Sequence, residues 1–154
     1  MNKKIIISAI ILTIIIVVPA ILMMNKYEKF YIEDKYYTNG EFIKIDSNEL
    51  NQLIDSKESF LLYTYNDYCS LKIPCDDIFK EVMEENNISM YSIRYEEFEK
   101  TKYIKKVKFA PSVLIIKDSK IISYLDANKK EDLDKYQDTT EFKKWLESYI
   151  YLSK

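Results

Sequence analysis

Twenty consecutive residues without a charge, Ile5 to Met24, divide this chain of 154 residues before any fold is considered. The run "IIISAIILTIIIVVPAILMM" offers water no polar face, so it does not suit an ordinary core helix. At about 1.5 Å of rise per residue it reaches across a hydrocarbon layer ~30 Å thick. It is longer than the roughly 7–15 apolar residues of a cleaved signal peptide, and no A-x-A-like cleavage site follows it. We read residues 5–24 as one transmembrane helix, a signal anchor in contact with membrane lipid, preceded by a short cytoplasmic tail at residues 1–4. Lys3 and Lys4 precede the run and Lys26, Lys29 and Lys35 follow it, so basic residues alone do not orient it. A tail this short ahead of a domain suits export, which predicts a single-pass protein of the cell membrane with its C-terminal domain extracytoplasmic.

Beyond the run, composition removes most chemistries. Three of the 23 basic residues and none of the 25 acidic ones lie in the first 26 residues, leaving 20 against 25 in the remainder. A mildly acidic domain does not attract nucleic acid non-specifically. The lysines at 102, 105, 106 and 108 read as a solvated helix face. With no histidine and two cysteines, a conventional zinc site lacks ligands and a serine–histidine triad is impossible. The single glycine excludes glycine-rich phosphate loops. No metal and no organic cofactor are therefore expected. Thiol chemistry is the main survivor.

Residues 25–40 are charged and tyrosine-rich without clear periodicity and read as a linker. Residues 41–154 then form a domain large enough to bury a core. "EFIKI" alternates as a strand does, and Asp46 with Glu49 forms a capping-box pattern ahead of Leu50, Leu53 and Ile54. "SFLLYTY" (59–65) is the near-continuous apolar run of a central strand. Ile78, Phe79, Val82 and Met83 share one helical face, and paired asparagines follow. "ISMYSIRY" (88–95) predicts a third strand and "EEFEKTKYIKKV" (96–107) a weaker helix. "PSVLIIKDSKIISYL" predicts a hairpin turning at Asp118 and Ser119. Phe142, Trp145, Leu146, Tyr149 and Ile150 close the chain with a helix that Asp138 and Glu141 can cap. Strands alternating with helices imply an α/β fold with parallel pairing, to which the late hairpin adds antiparallel strands.

From about Glu41 onward the chain resembles the thioredoxin superfamily. Tyr68 beside Cys69, after a hydrophobic strand, is similar to the aromatic–cysteine pair that opens that family's active-site loop. Pro74–Cys75, opening an amphipathic helix, is similar to the second half of its Cys-x-x-Cys motif. "VKFAPSVLIIKDSKII" resembles the segment that carries its cis-proline, here Pro111. The resemblance implies a thioredoxin-like mixed sheet flanked by helices, behind the transmembrane helix. It also implies thiol–disulfide exchange on exported proteins or peptides. Cys69 would be the nucleophile and Cys75 the resolving thiol, the two forming a disulfide, with Tyr68, Ala110 and Pro111 at the substrate. The redox partner is unknown.

One departure stands out. The family separates its cysteines by two residues, whereas five lie between Cys69 and Cys75. Proline is tolerated at a helix start but not in its interior, so Pro74 sets the start and puts Cys75 in the first turn. The intervening "SLKI" then belongs to a loop, which can still bring the Cα atoms to the ~4.4–6.8 Å a disulfide needs. The strand before the loop lacks the acid found in family members, and no histidine lies between the cysteines. Exchange slower than that of a dedicated reductase follows. Three readings of the thiols stay open: a redox-active pair, a permanent staple worth about 2 kcal/mol, or unpaired thiols. The corresponding roles are an oxidoreductase, an accessory protein of bacteriocin export with the same fold, or a redox-inert binding module.

Overall fold

The computed structural model describes residues 28–66 and 74–154. The run 5–24 and the loop bearing Tyr68 and Cys69 lie outside them. Among the described residues no helix is long and apolar enough to cross a membrane.

Five strands form one sheet in the order β1-β3-β2-β4-β5. They are β1 (Phe42–Lys44), β2 (Phe60–Tyr65), β3 (Met90–Arg94), β4 (Ser112–Lys117) and β5 (Lys120–Tyr124). β1 and β2 both run parallel to β3, while β4 runs antiparallel to β2 and to β5. The parallel half follows from the strand–helix alternation, because parallel neighbours need crossovers. The antiparallel half follows from the tight turn at Asp118 and Ser119, both with positive φ (48° and 60°). Positive φ at both central residues is the hairpin geometry whose twist matches the strands.

The helices are α1 (Ser47–Asp55), α2 (Cys75–Asn86), the one-turn α3 (Tyr95–Phe98) and α4 (Thr139–Glu147). α1 begins with the capping box: Asp46 accepts from the amides of Asn48 and Glu49 at 2.8 and 2.9 Å, and Glu49 accepts from the Asp46 amide at 2.9 Å. α4 has half of it. Asp138 accepts from the Glu141 amide at 3.0 Å, but the Glu141 carboxylate takes the Lys144 ammonium at 2.7 Å. α2 starts directly after Pro74 and ends at Asn87, whose left-handed backbone (φ 52°) stops it. Ile78, Phe79, Val82 and Met83 of α2 are buried, as are Phe142, Trp145 and Leu146 of α4. The two helices meet on one face of the sheet, with the Phe79 and Phe142 rings 4.5 Å apart.

Four sequence expectations change. The last helix stops at Glu147, short of Tyr149 and Ile150. Residues 28–40 are not a linker. Phe30, Ile32 and Tyr36 are buried in the core, and Phe30 forms a parallel bridge with Ile150. The missing periodicity reflects a segment that pairs by single bridges around one short 3₁₀ turn, Asp34–Tyr36, instead of building an α-helix or a strand. The helix expected over 96–107 breaks in two: α3, then a 3₁₀ turn at Lys102–Lys105. Thr101 separates them in extended conformation, with its hydroxyl donating to the Phe98 carbonyl at 2.8 Å. Side-chain competition of this kind ends helices. Lys102, Lys105, Lys106 and Lys108 are exposed as expected, though not on one continuous helix. The third strand is shorter than 88–95, and Ile88 bridges Tyr37 instead.

Candidate functional site

The site forms where β2 ends and β4 begins. Because β4 runs back along β2, Ser112 lies opposite Thr64, and Pro111 meets the end of β2 from which the chain passes toward α2. Cys75 is the first residue of α2 and is buried, with 1% of its surface exposed. Pro74 explains the placement: its ring forbids an earlier helical turn, so the helix opens on the cysteine. The first-turn amides and the helix dipole favour a negative charge at this position, while Asp76 and Asp77 of the same turn oppose one.

Tyr63 of β2 reaches Cys75 across the sheet–helix interface, its hydroxyl oxygen 3.4 Å from Sγ. Tyr63 also packs edge-on against Phe79, ring centroids 5.3 Å apart. The acid expected on this strand from the family is absent, and a phenol is the β2 group that faces the thiol. A cleft of about 350 Å³ opens beside it between Phe42, Tyr65 and Asp76.

The Ala110–Pro111 bond is cis, as the resemblance implies. Two tyrosines hold the loop around it. Tyr136 donates to the Pro111 carbonyl at 2.9 Å, and Tyr95 donates to the Lys108 carbonyl. The loop closes with the Ser112 hydroxyl donating to the Phe109 carbonyl at 2.7 Å. Phe109 projects outward, 52% exposed. Tyr136 is fully buried with its ring 5.7 Å from Phe79, so it ties the proline loop to α2. Burial pushes its phenol well above the ordinary range, and the nearby charge of Cys75 adds to the effect. Burial also raises the Tyr95 phenol, with the charge of Glu99 adding to it.

Of the residues selected from sequence, Cys75, Ala110 and Pro111 thus lie on elements joined by Tyr63, Phe79 and Tyr136. Cys69 and Tyr68 lie outside the described residues, and so does the expected disulfide between Cys69 and Cys75. Tyr63 lies inside the apolar run of the central strand, and neither it nor Tyr95 or Tyr136 carries a local pattern that marks a site residue. Tyr136 sits in "NKKEDLDKYQ", a charged stretch with no apolar period that forms a 3₁₀ helix, Lys130–Tyr136. A lone aromatic at the end of such a stretch was the available signal.

No protein-family profile matches the chain, and no curated protein does. Solved structures do. A mutant thioredoxin from Halobacterium salinarum NRC-1 superposes with a TM-score of 0.52 at 17% identity, covering 73% of this chain and 93% of that one. A mutant Entamoeba histolytica thioredoxin covers 62% of this chain and 96% of that one, at 16% identity and a TM-score of 0.48. A thioredoxin from Nicotiana alata covers 64% and 90%, at 18% identity and a TM-score of 0.43. The strand order, the mixed pairing and the first of these superpositions agree: the chain has the thioredoxin fold.

Proposed function

We propose that this protein is a membrane-anchored thiol–disulfide oxidoreductase whose domain works outside the cytoplasm on exported proteins or peptides. The observation that carries the reading is the placement of Cys75. It opens α2 six positions after Cys69 in the sequence, and the same helix is tied through Tyr136 to the Ala110–Pro111 loop. In the reducing direction the Cys69 thiolate attacks a substrate disulfide, forming a mixed disulfide and expelling one substrate thiolate. Cys75 then loses its proton and attacks the Cys69 sulfur. The Cys69–Cys75 bond forms, the second substrate thiolate leaves, and two electrons have passed to the substrate. An external dithiol donor restores the pair. The oxidising direction is the reverse. The backbone of Ala110 would pair with the extended substrate as an added strand, with Tyr68 and Pro111 flanking the reacting sulfurs.

The test is insulin reduction, or refolding of a reduced disulfide protein, by the full chain beside Cys69→Ser and Cys75→Ser. Exchange by the parent, a trapped mixed disulfide with Cys75→Ser and no turnover with Cys69→Ser are expected. Equal rates for all three would remove the reading. The burial of Cys75 also suits a second reading, a redox-inert binding module whose cysteines form a staple. The reduction potential separates them. A staple lies below about −300 mV, and exchange-competent pairs of exported proteins lie nearer ~−120 to −180 mV.

A further inference from the structure

The end of the domain opposite the candidate site carries an unusual surface. Tyr31 and Tyr151 are 49% and 42% exposed, yet their rings stack on each other with centroids 4.5 Å apart. Tyr37 meets Tyr31 edge-on at 6.4 Å and donates to the Tyr151 carbonyl at 2.7 Å. Lys154 lies over the Tyr31 and Tyr37 rings and Lys29 over that of Tyr151. Acids temper the charge. The Asp34 carboxylate takes the Lys154 ammonium, Glu33 accepts from the Ser59 amide at 3.3 Å, and Glu28 is exposed. The patch is thus close to neutral, and its dominant chemistry is amphipathic aromatic surface rimmed by lysine stems.

Its position is defined by the sheet. The Glu33 amide donates to the Ser59 carbonyl just before β2, and the Lys117 ammonium at the end of β4 lies 5.0 Å from the Phe30 ring centre. Both anchor points are at the start of β2, whereas Cys75 and Pro111 belong to its far end. Six strand residues at about 3.3 Å each separate the two ends by roughly 20 Å.

We infer that the Tyr31–Tyr37–Tyr151 end of the domain rests in the headgroup layer of the membrane, and that the Cys75–Pro111 end points away from the bilayer into the aqueous phase. The inference rests on the reading of residues 5–24 as a membrane span. Six residues lie between Met24 and Tyr31, so the patch lies within about 25 Å of the end of the span even with the chain fully extended. Phe30 is already in the core, so little slack remains for the domain to turn over. Tyrosine concentrates at membrane–water interfaces, where ring and hydroxyl sit at headgroup level, and lysine ammonium groups reach the phosphates from the same depth. The lipid surface fits this patch better than a protein partner does, because the tether holds it there. Substrates then reach the thiols from the aqueous side.

The test uses the full chain in nanodiscs of phosphatidylcholine and phosphatidylglycerol doped with a gadolinium-headgroup lipid. Fluorotyrosine is placed at 31, 37 or 151 and fluorophenylalanine at 109, and each fluorine resonance is followed. Broadening to loss at 31, 37 and 151 with a sharp signal at 109 is expected. In Tyr31→Ser/Tyr151→Ser, the contrast between 37 and 109 is expected to fall several-fold while the chain stays with the discs. Equal broadening at 37 and 109 in the parent would overturn the orientation, as would an unchanged contrast in the double variant. Release of the chain from the discs by alkaline extraction would overturn it by a different route, through loss of the span itself.

Discussion

Tyr136 shows how single hydroxyls organise this site. Its ring is fully buried and its bond reaches a half-buried Pro111 carbonyl, so removing the donor leaves that acceptor poorly served by solvent. Tyr136→Phe is expected to lower stability by about 1–2 kcal/mol in urea titration and to slow exchange more than binding. Tyr36 makes a second such contact, donating to Glu58 at 2.6 Å and lying 3.1 Å from the Tyr91 hydroxyl. Partial burial pushes the Glu58 carboxyl up, but the hydrogen bonds from Lys35 and Tyr36 outweigh it and hold the group below its ordinary value of 4.5. A carboxyl depressed in the folded state stabilises fully above its unfolded value, and that stability is lost as pH falls through the folded one. Lys35 is half exposed, so screening reduces the ion-pair share. Glu58→Gln should therefore cost about 1 kcal/mol near neutral pH and almost nothing at low pH, read from denaturation midpoints across that range.

At the scale of elements, caps and close approaches decide where each segment stops and how tightly it sits. The Asp46 box satisfies two amides of α1 on an exposed surface, and Asp46→Ala is expected to cost about 1 kcal/mol in the same titration. Gly40 is a sharper case. It has φ +72°, and a Cβ there would stand 2.6 Å from the Cα and N of Glu84 and 2.7 Å from the carbonyl carbon of Met83. The obstructing atoms are the backbone of α2, which cannot step aside as a side chain would. Gly40→Ala should cost more than the cap, about 3 kcal/mol or above, by combining left-handed strain with a displaced helix. A cost equal to or below that of Asp46→Ala would show that α2 is free to shift.

For the whole molecule, the segment 28–40 is part of the fold and not a spacer. The Phe30 amide donates to the Tyr149 carbonyl at 3.1 Å and the Tyr151 amide to the Phe30 carbonyl at 3.0 Å, joining the two ends of the domain. Phe30→Ala removes a buried aromatic from that closure. A loss of about 3 kcal/mol in a single cooperative transition is expected. A change below ~1 kcal/mol, or a separate early transition, would return the segment to the status of a linker.

By itself the sequence determined what depends on neighbours a few residues apart. The Asp46 box, the start of α2 after Pro74, the Asp118–Ser119 turn and the apolar face of α2 are each written in local spacing, because backbone caps and helical periods close over short distances. The strand–helix alternation extended this to a mixed α/β sheet, and the resemblance at Pro74–Cys75 and Pro111 implied its thioredoxin-like form. Only the tertiary structure decided the rest. Tyr136 meets Pro111 across 25 residues, Tyr63 meets Cys75 across 12, and Phe30 bridges Ile150 from the other end of the domain. Such contacts have no period to announce them. A hydroxyl finds its acceptor only after the sheet has brought both to the same end, and a lone phenylalanine becomes core only when a distant segment receives it.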